Sequence, residues 1–416
     1  MKIKAGLCSE PARQRSVILR IFRSLKYRDF RLFWGGLLIS AIGTWMQIVG
    51  LSLLVLKITH GSAFALGTVA LTQALSFFLF ALLGGSVADR VDKRRLLLLT
   101  QSTSALLAGL LGVLTYAGLI GLSTILVISF LNGAILSIDQ PARGALIAEL
   151  VPTQDLLNAL SLQANLFTAA SAFGPALAGI SLSLLGYSAN FFFNAASFIA
   201  VLVALYVIRS PHPVMDVQPT WKPIRESLNT VRREPVLPWV LSTYGVLLCV
   251  VPSPALMLPV FAVTVLRVNP ERMGLLFSSI GMGSIVGALL MASFSNARKG
   301  QLHLFGVLLG AGALAAFALS RHLQSSIAAL LALGIGQSFA ATTAITLLQS
   351  RVPGAMRGRV MSLNTLLIMG LRPLGDFPLG ALMSAVGAPT TLLLSALFVG
   401  AYGSAVSLFR PSIRSA

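Results

Sequence analysis

Two charged residues stand four positions apart in an apolar stretch near the carboxyl end of the chain. Arg372 and Asp376 lie within 359–386, and placing either charge inside a membrane-spanning helix costs roughly 2.5–3.5 kcal/mol. Charges at such places usually face a cavity or each other. We therefore expect Arg372 to hold an anionic group of a substrate and Asp376 to carry a proton linked to its movement. The alternative is a pair that neutralises itself and only shapes the helix.

Prolines and glycines interrupt the same stretch. Pro373 and Pro378 each remove a backbone donor and break the helical hydrogen-bond ladder. Helices interrupted in this way near the membrane midplane are where transporters build binding sites. The sequence therefore predicts a kink at Pro373 and a binding segment around it, to which Asn364 adds a polar side chain. Gly174 and Pro175 are expected either to kink an earlier stretch in the same way or only to pack it closely against a neighbour.

A basic segment follows the second apolar stretch of the chain. It runs from Gly85 to Arg95 and places Asp89 at a helix end beside Arg90 and Arg94. Carboxylate and guanidinium groups at this spacing can form bidentate ion pairs, and a glycine lets two helices pack closely. The segment is predicted either to form ion pairs at the membrane rim or to be a solvated basic loop.

A second charged pair stands near the end of the fourth apolar stretch. Asp139 and Arg143 are four residues apart, so they share a helix face and can pair. The pair is expected to lie within reach of Arg90 or Arg94. Both interpretations stay open: a network that switches between conformations, and a static ion pair at a helix end.

Uncharged polar residues stand alone in several other apolar stretches. In 33–56, four small or polar residues recur at helical spacing on one face, namely Ser40, Gly43, Thr44 and Gln47. Each polar residue either lines a cavity or makes a hydrogen bond between helices. The candidates for a substrate contact are Thr44, Gln47, Gln73, Asn132, Asn165, Asn194, Gln337 and Asn364.

The sequence lacks the usual signals of enzymatic chemistry. It contains no Gly-x-x-x-x-Gly-Lys-Ser/Thr phosphate loop, so direct use of ATP is not expected. Two cysteines, one in a tail and one in an apolar run, do not indicate a disulfide framework. No catalytic residue, metal site or cofactor is therefore predicted. The four histidines are expected to lie in loops or at membrane rims and to form no ligand cluster, namely His60, His212, His303 and His322.

The composition explains why these residues must be positioned by membrane helices. Of 416 residues, 56% are hydrophobic and 10% are charged, with a mean hydropathy of +0.86, whereas soluble proteins carry about 25% charged residues. Spanning a bilayer takes roughly 20 apolar residues, and the chain contains twelve apolar runs of that length. Their approximate cores are 33–56, 64–87, 96–118, 120–141, 157–184, 188–208, 237–265, 273–295, 302–320, 325–348, 359–386 and 389–409. The three longest are expected to be tilted or kinked.

The distribution of positive charge predicts the topology. With the amino terminus in the cytoplasm, 26 of the 31 Lys and Arg residues fall on the cytoplasmic side, as the positive-inside rule requires. The net charge of +19 therefore reflects topology and does not indicate nucleic-acid binding. Both termini are predicted to be cytoplasmic, in a bacterial inner membrane, with a small-molecule substrate and the lipid bilayer as partners and no partner chain.

An internal repeat divides the chain into halves. Shifting 146–186 by 201 residues onto 347–387 aligns ten identical residues in 41, including Gly174 with Gly375 and Gly179 with Gly380. Two parallel six-helix halves are an arrangement of secondary transporters. We predict an all-α membrane protein with twelve transmembrane helices in two pseudo-symmetric six-helix bundles. The expected segments are a basic tail 1–31, a bundle 32–208, a cytoplasmic connector 209–236, a bundle 237–409 and a tail 410–416.

These motifs resemble the major facilitator superfamily, in particular the branch that contains enterobactin-type siderophore exporters and macrolide-efflux proteins. The segment 85–95 is similar to the superfamily's loop between helices 2 and 3, with Asp92 where many members have glycine. One departure is Ser171, where the branch often has an arginine; its repeat mate is Arg372. The other matching segments are 27–34 with 40–47, 139–143 with 149–152, and 174–179.

The resemblance implies a fold and a function. It implies that the residues around Asp89 clasp the two halves together on the cytoplasmic side and release them in another state. It also implies alternating access and export of an amphipathic compound such as a drug or a siderophore, with the proton as the expected coupling ion. A lysophospholipid or metabolite carrier stays open. So do, from other classes, a membrane-embedded enzyme, which would need a catalytic cluster, and a non-transporting sensor, which would need a soluble domain.

Overall fold

The computed structural model of the protein describes residues 22–208, 231–294, 297–352 and 367–414, and these residues form helices and no strands. A short 3₁₀ turn, Arg23–Lys26, precedes the first long helix. Six long helices make up the first part of the chain: α1 Arg28–Ile58, α2 Ala63–Arg90, α3 Lys93–Tyr116, α4 Leu122–Leu150, α5 Thr153–Leu185 and α6 Tyr187–Val207.

The second part of the chain also contributes six long helices, and two of them are interrupted. Helix α7 consists of Leu237–Val250, Pro254–Phe261 and a π-helical turn, Ala262–Leu266. Helix α11 begins, within the described residues, with a π-helical turn Leu367–Leu371 and continues as Arg372–Val386. The remaining helices are α8 Pro270–Ser293, α9 Lys299–Leu319, α10 Leu323–Arg351 and α12 Ala388–Phe409, followed by a short turn Pro411–Arg414.

The helices are long enough to cross a membrane. In the described residues, eleven helical spans are both long and apolar enough to do so, and the described part of α11 is the shorter twelfth. The predicted twelve-helix fold is therefore confirmed. The connector predicted at 209–236 falls for the most part outside the described residues.

Local sequence signals fix where the helices begin and end. The side chains of Ser62, Asp92, Ser253 and Asn269 each accept a hydrogen bond from a backbone N–H of the first turn that they precede, which satisfies a donor that the helix leaves free. Helices α5 and α11 both end at a glycine with positive φ. Gly186 has φ of 81° and its repeat mate Gly387 has φ of 86°, conformations that a residue with a side chain rarely adopts.

The two sets of six helices form two bundles that meet at two crossings. Within the first bundle, α1 packs on α5 and α6, and α2 packs on α4. Within the second, α10 packs on α8 and α9, and α9 packs on α12. Between the bundles, α5 crosses α8 and α2 crosses α11, while the second piece of α7 contacts α1 and α2. The α5–α8 and α2–α11 crossings and the second piece of the interrupted helix α7 thus hold the bundles together.

The two crossings are built from equivalent residues. In one, Gly179 of α5 lies against the carbonyl of Pro270, and a methyl group added there would be 2.6 Å from that oxygen. In the other, Gly380 of α11 lies against the carbonyl of Ala63, and an added methyl group would be 2.7 Å away. Gly380 is the repeat mate of Gly179. The internal repeat seen in the sequence is therefore a repeat of backbone contacts.

Each crossing also carries one hydrogen bond made by a matched serine. Ser183 of α5 donates to Glu271 of α8 at 2.7 Å. Its repeat mate, Ser384 of α11, accepts from the backbone N–H of Phe64 of α2 at 3.0 Å. Both bonds lie at the end of the molecule where α1 ends and α2 begins, which we call the opposite face. The end where α1 begins and α12 ends is called the terminal face.

One expectation about local structure is corrected. His303 was expected in a loop or at a rim, but it lies in α9 and is fully buried, with hydrogen-bonding contacts to Thr243 and Thr343. Hydroxyl groups of α7 and α10 provide hydrogen-bonding partners for both ring nitrogens, so burial of this polar side chain is tolerated. The long stretch 157–184, which is expected to be tilted or kinked, lies in the continuous helix α5, which contains Pro175.

Candidate functional site

A cleft separates the two bundles and is open toward the terminal face. Along α5, Ser171, Pro175 and Gly179 fall on one face and pack against α8. The same face continues toward the terminal face in residues that are exposed: Leu157, Leu160, Ser161, Ala164, Phe167 and Thr168. A helix face that is buried at one end and exposed at the other means that its partner helix diverges from it.

Helix α8 shows the complementary pattern. Gly274 and Gly281 lie against the backbone of α5, an added methyl group at Gly281 being 2.6 Å from the Ser171 carbonyl oxygen. Further along the same face, Ala288 and Leu289 are exposed. We call the space between these two diverging faces the central cleft. Polar residues such as Ser161 on its α5 wall indicate that it admits water.

The second bundle places a charged group at the level where the cleft closes. Arg372 of α11 is the repeat mate of Ser171, so it occupies the same depth as the last α5–α8 contact. Its guanidinium is half-buried, and its Nε atom is buried without a hydrogen-bond partner among the described residues. A buried guanidinium donor without a partner is costly unless a ligand or water satisfies it.

Asp376 faces the break in α7 instead of Arg372. Its carboxylate is buried and accepts a hydrogen bond from the backbone N–H of Ser253 at 2.7 Å. No ion pair between Asp376 and Arg372 is present in the described part of the chain. The expectation that these residues simply neutralise each other is therefore not what the geometry shows. Close packing of Gly375 on the backbone of Cys249 brings α11 against the α7 break.

The first bundle places an aromatic pair at the equivalent position. Trp45 of α1 stacks on Phe167 of α5 with ring centroids 4.9 Å apart, and its indole N–H donates to the Phe167 carbonyl oxygen at 3.0 Å. Gly174 makes room for this arrangement, since a methyl group there would lie 2.6 Å from the Trp45 Cβ atom. Gly174 and Pro175 thus act in close packing, Pro175 through its carbonyl oxygen against Gly274 of α8.

The pair predicted in α4 is present. Arg143 is ion-paired with Asp139 at 2.5 Å, and the other oxygen of Asp139 accepts from Thr100 at 2.8 Å and from the Gln101 amide at 2.6 Å. Thr100 and Gln101 belong to α3, so this buried carboxylate joins α3 to α4 within the first bundle.

The basic segment between α2 and α3 is only partly described. The side chains of Gly85, Asp89 and Arg90 lie outside the described residues. Arg94 donates from Nε to Leu205 and from another guanidinium nitrogen to Tyr206, both backbone carbonyls at the end of α6, at 2.5 and 2.6 Å. In this conformation Arg94 therefore caps a helix of its own bundle. Asp92 caps α3 by accepting from the backbone N–H of Arg95 at 2.8 Å, which gives this aspartate a structural role.

Three of the single polar candidates make contacts within their own bundle. Gln47 accepts from the Asn194 amide at 2.8 Å and thereby joins α1 to α6. Thr44 donates to the Ser40 carbonyl of its own helix at 2.9 Å. The face of α1 that carries Gly43, Thr44 and Gln47 therefore packs largely against α6, where Gly43 lies against Asn194. Of the rest, Asn165 and Gln73 are exposed, Asn132 and Gln337 are half-buried, and Asn364 lies outside the described residues.

Sequence reasoning missed an ionic cluster at the start of α5. Asp155 is 2% exposed and forms ion pairs with Arg23 and Lys26, both at 2.9 Å, and a 2.7 Å hydrogen bond from the Tyr27 phenol. Ser24 also donates to the Asn158 side chain at 2.8 Å. The hydrogen bond with Asp155 raises the pKa of Lys26 above its ordinary value. The cluster ties the 3₁₀ turn to α5, and its partners are too far apart in sequence for a spacing rule to find.

The break in α7 was also missed as a functional feature, although its signal is visible in the sequence. Pro252 and Pro254 flank Ser253 inside the apolar run 237–265. The residues 251–253 are non-helical, and Ser253 caps the second piece of the helix. A broken helix inside a membrane leaves backbone N–H groups free, and Asp376 takes one of them.

Comparison with known sequences identifies relatives along almost the whole chain. A profile of the family described as transmembrane secretion effector matches residues 21–413. The staphyloferrin A transporter of Staphylococcus aureus is 24% identical over 86% of this chain and 88% of its own length. An enterobactin exporter of Citrobacter koseri is 26% identical over 89% of this chain and 88% of its own length.

Comparison with solved structures finds the same fold at low sequence identity. A bacterial homolog of the human lysosomal transporter Spinster, in an inward-facing and unoccupied conformation, aligns with a TM-score of 0.75 and 13% identity over 93% of this chain and 98% of that one. A bacterial homologue of the iron transporter ferroportin, in an inward-facing state, aligns with a TM-score of 0.69 and 18% identity over 91% of this chain and 98% of that one. These are folds of transporters, not of enzymes.

Proposed function

Since the chain belongs to the transmembrane secretion effector family of major facilitator transporters, we propose that it exports an amphipathic, anionic small molecule by proton-coupled alternating access. The observation that carries the proposal is the unpartnered Nε of Arg372 at the closed end of the central cleft. An anionic oxygen of a substrate would satisfy this donor. The relatives named for siderophores support a siderophore-like compound, because siderophores carry the anionic oxygens that such a guanidinium binds.

The shape of the cleft supports substrate entry from the terminal face. The opposite face is closed by the α5–α8 and α2–α11 crossings, and α5 and α8 diverge from there toward the terminal face. Lys and Arg residues concentrate on the terminal side of the sequence, which favours a cytoplasmic location for that face in a bacterial inner membrane. The described conformation is then the one that loads substrate from the cytoplasm.

Proton coupling is assigned to Asp376. As a carboxylate it accepts from the Ser253 N–H and holds α11 against the α7 break. A proton that arrives from the opposite face removes its negative charge and weakens this charge-assisted bond, so the two pieces of α7 become free to separate from α11. Opening of the opposite face would follow, with release of the substrate from Arg372. The proton leaves to the cytoplasm when the terminal face opens again.

The clasp on the terminal face is the second moving part of the proposal. Asp89, Arg90 and Arg95 would form ion pairs across the halves when the cleft closes on that side, while Asp139 and Arg143 hold α3 and α4 as the frame. Arg94 would either stay on α6 or exchange its carbonyl partners for a carboxylate. A single chain suffices for this cycle, so a monomer is expected.

Transport in proteoliposomes with an imposed pH gradient tests the proposal. A panel of anionic, zwitterionic and neutral amphipathic compounds is offered, including carboxylate and catecholate siderophores. We expect gradient-dependent movement of anionic members only. Movement of the neutral members alone, or movement that is unchanged when the gradient is collapsed, would contradict it.

A further inference from the structure

The aromatic pair of the first bundle is exposed to the central cleft. Phe167 lies four residues before Ser171, which packs on α8, so both are on the same face of α5. Its side chain is 43% exposed. That face looks toward the second bundle, so the exposed ring borders the cleft and not the lipid. An aromatic ring left facing a water-accessible cleft is an apolar surface that a ligand can cover.

The pair is also held rigidly. The indole N–H of Trp45 is bonded to the Phe167 backbone, the two rings are stacked with 30° between their planes, and Gly174 gives Trp45 the space it occupies. A preorganised aromatic surface binds a flat ligand without first losing side-chain freedom. Trp45 also packs against the core of the first bundle, whereas the outer side of Phe167 is left uncovered.

The aromatic pair and Arg372 lie near the same depth in the two bundles. In the first bundle, Trp45 packs on Gly174 and stacks on Phe167, which stands four residues before Ser171; in the second, Arg372 is the repeat mate of Ser171. The aromatic surface and the Arg372 Nε, which has no described partner, therefore lie within about one helical turn of the same depth on the two walls of one cleft. A single ligand that reaches both needs a flat aromatic part and an anionic part.

We propose that Trp45 and Phe167 form a subsite that stacks on a planar aromatic ring of the substrate. This inference rests on the proposed function and narrows its substrate class to aryl anions, such as aryl carboxylates or catecholates. Offset stacking with a ring is favoured over contact with a saturated group of the same size, because the aromatic faces and edges carry complementary partial charges.

Binding of two matched probes to the detergent-purified full chain tests the subsite. The probes are 2-naphthoate and its saturated analogue decahydronaphthalene-2-carboxylate, which have the same charge and nearly the same size. Isothermal titration calorimetry is expected to show tighter binding of 2-naphthoate by about 3- to 10-fold. In Phe167→Leu this preference should disappear, while Phe167→Tyr, which keeps a ring, should retain it.

A control variant separates stacking from a general change in the helix. Phe173 is on the same helix, six residues further on and on a different face, and is 61% exposed; Phe173→Leu should leave the preference intact. Equal binding of the two probes to the wild-type chain, or equal loss in Phe167→Leu and Phe173→Leu, would overturn the aromatic subsite and leave the anion site standing. If neither probe binds, the proposed anion site itself is wrong, and the subsite falls with it.

Discussion

The two bundles use the same backbone contacts to hold different side chains. Gly174 packs α5 against the carbonyl of Ile42 in α1, and Gly375 packs α11 against the carbonyl of Cys249 in α7. At the first contact, α1 is an uninterrupted helix that carries Trp45. Beside the second stands the break that exposes the Ser253 N–H to Asp376.

The comparison distinguishes residues that hold the bundles together from residues of the candidate site. Residues that match between the halves, such as Gly179 with Gly380 and Ser183 with Ser384, make the crossings. Some of the residues that differ at matched positions face the cleft. The clearest case is Ser171 against Arg372: the serine only bonds to its own helix through the Thr168 carbonyl, whereas the arginine has a buried donor with no described partner.

The largest effect is expected from Asp376→Asn. The asparagine oxygen can still accept from the Ser253 N–H, so the chain should fold, but the group can no longer take up a proton. Transport driven by a pH gradient in proteoliposomes should fall at least tenfold, while exchange of substrate across the membrane without a gradient should persist. Full gradient-driven transport in this variant would remove Asp376 from the coupling mechanism.

The matched pair Arg372→Ala and Ser171→Ala tests the comparison directly. Loss of the guanidinium should reduce binding of an anionic probe by about tenfold or more, as for a charge-assisted hydrogen bond, and leave a neutral probe almost unaffected. Ser171→Ala should change neither, because its hydroxyl bonds only within α5. Calorimetry on both variants measures this, and equal losses for anionic and neutral probes would indicate that Arg372 acts only in packing.

Gly186→Ala and Gly387→Ala should have equal effects on stability. Both glycines have positive φ near 80° with extended ψ, a region in which another residue costs about 1–3 kcal/mol. Thermal unfolding of the two variants should show similar decreases in midpoint with transport retained at low temperature. A clear difference between them would mean that the repeat does not extend to the helix ends.

Asp155→Asn should have the smallest effect and only in the first bundle. The substitution removes the partner of Arg23 and Lys26, two cations that are about half exposed, so we expect the unfolding midpoint to fall by a few degrees. Because the folded protein raises the pKa of Lys26, this pairing stabilises the fold at neutral pH and is lost as the pH rises through that raised pKa. The difference in stability between the wild type and the variant should therefore decrease at strongly alkaline pH, to the part that the Arg23 ion pair contributes.

Much of the fold could be predicted because its signals are local or periodic. The length of the apolar runs gives the number of helices, and the repeat around Gly174 and Gly375 gives the two bundles. The pair Asp139–Arg143 follows from one helical turn of spacing. These features depend on residues that are close in sequence or related by a constant shift.

The rest depends on contacts between distant segments. The sequence placed Arg372 and Asp376 on one helical turn and suggested a pair, yet Asp376 turns to Ser253, more than 120 residues away. The sequence suggests that Gln47 faces a cavity, but the Gln47 side chain accepts a hydrogen bond from Asn194. A helical spacing shows which residues share a face, but only the packing of the other helices determines what that face meets.

The scarcity of ion pairs at the opposite-face crossings has a further consequence. These crossings consist of glycine–carbonyl contacts and of hydrogen bonds of Ser183 and Ser384, of which the one to Glu271 has a charged acceptor, and dissolved ions screen such contacts less than they screen pairs of exposed charges. In the proposed orientation this face meets the surroundings of the cell, whose salt content varies, while the charged segment 85–95 meets the regulated cytoplasm. The closure of the opposite face should therefore depend only weakly on the external salt concentration.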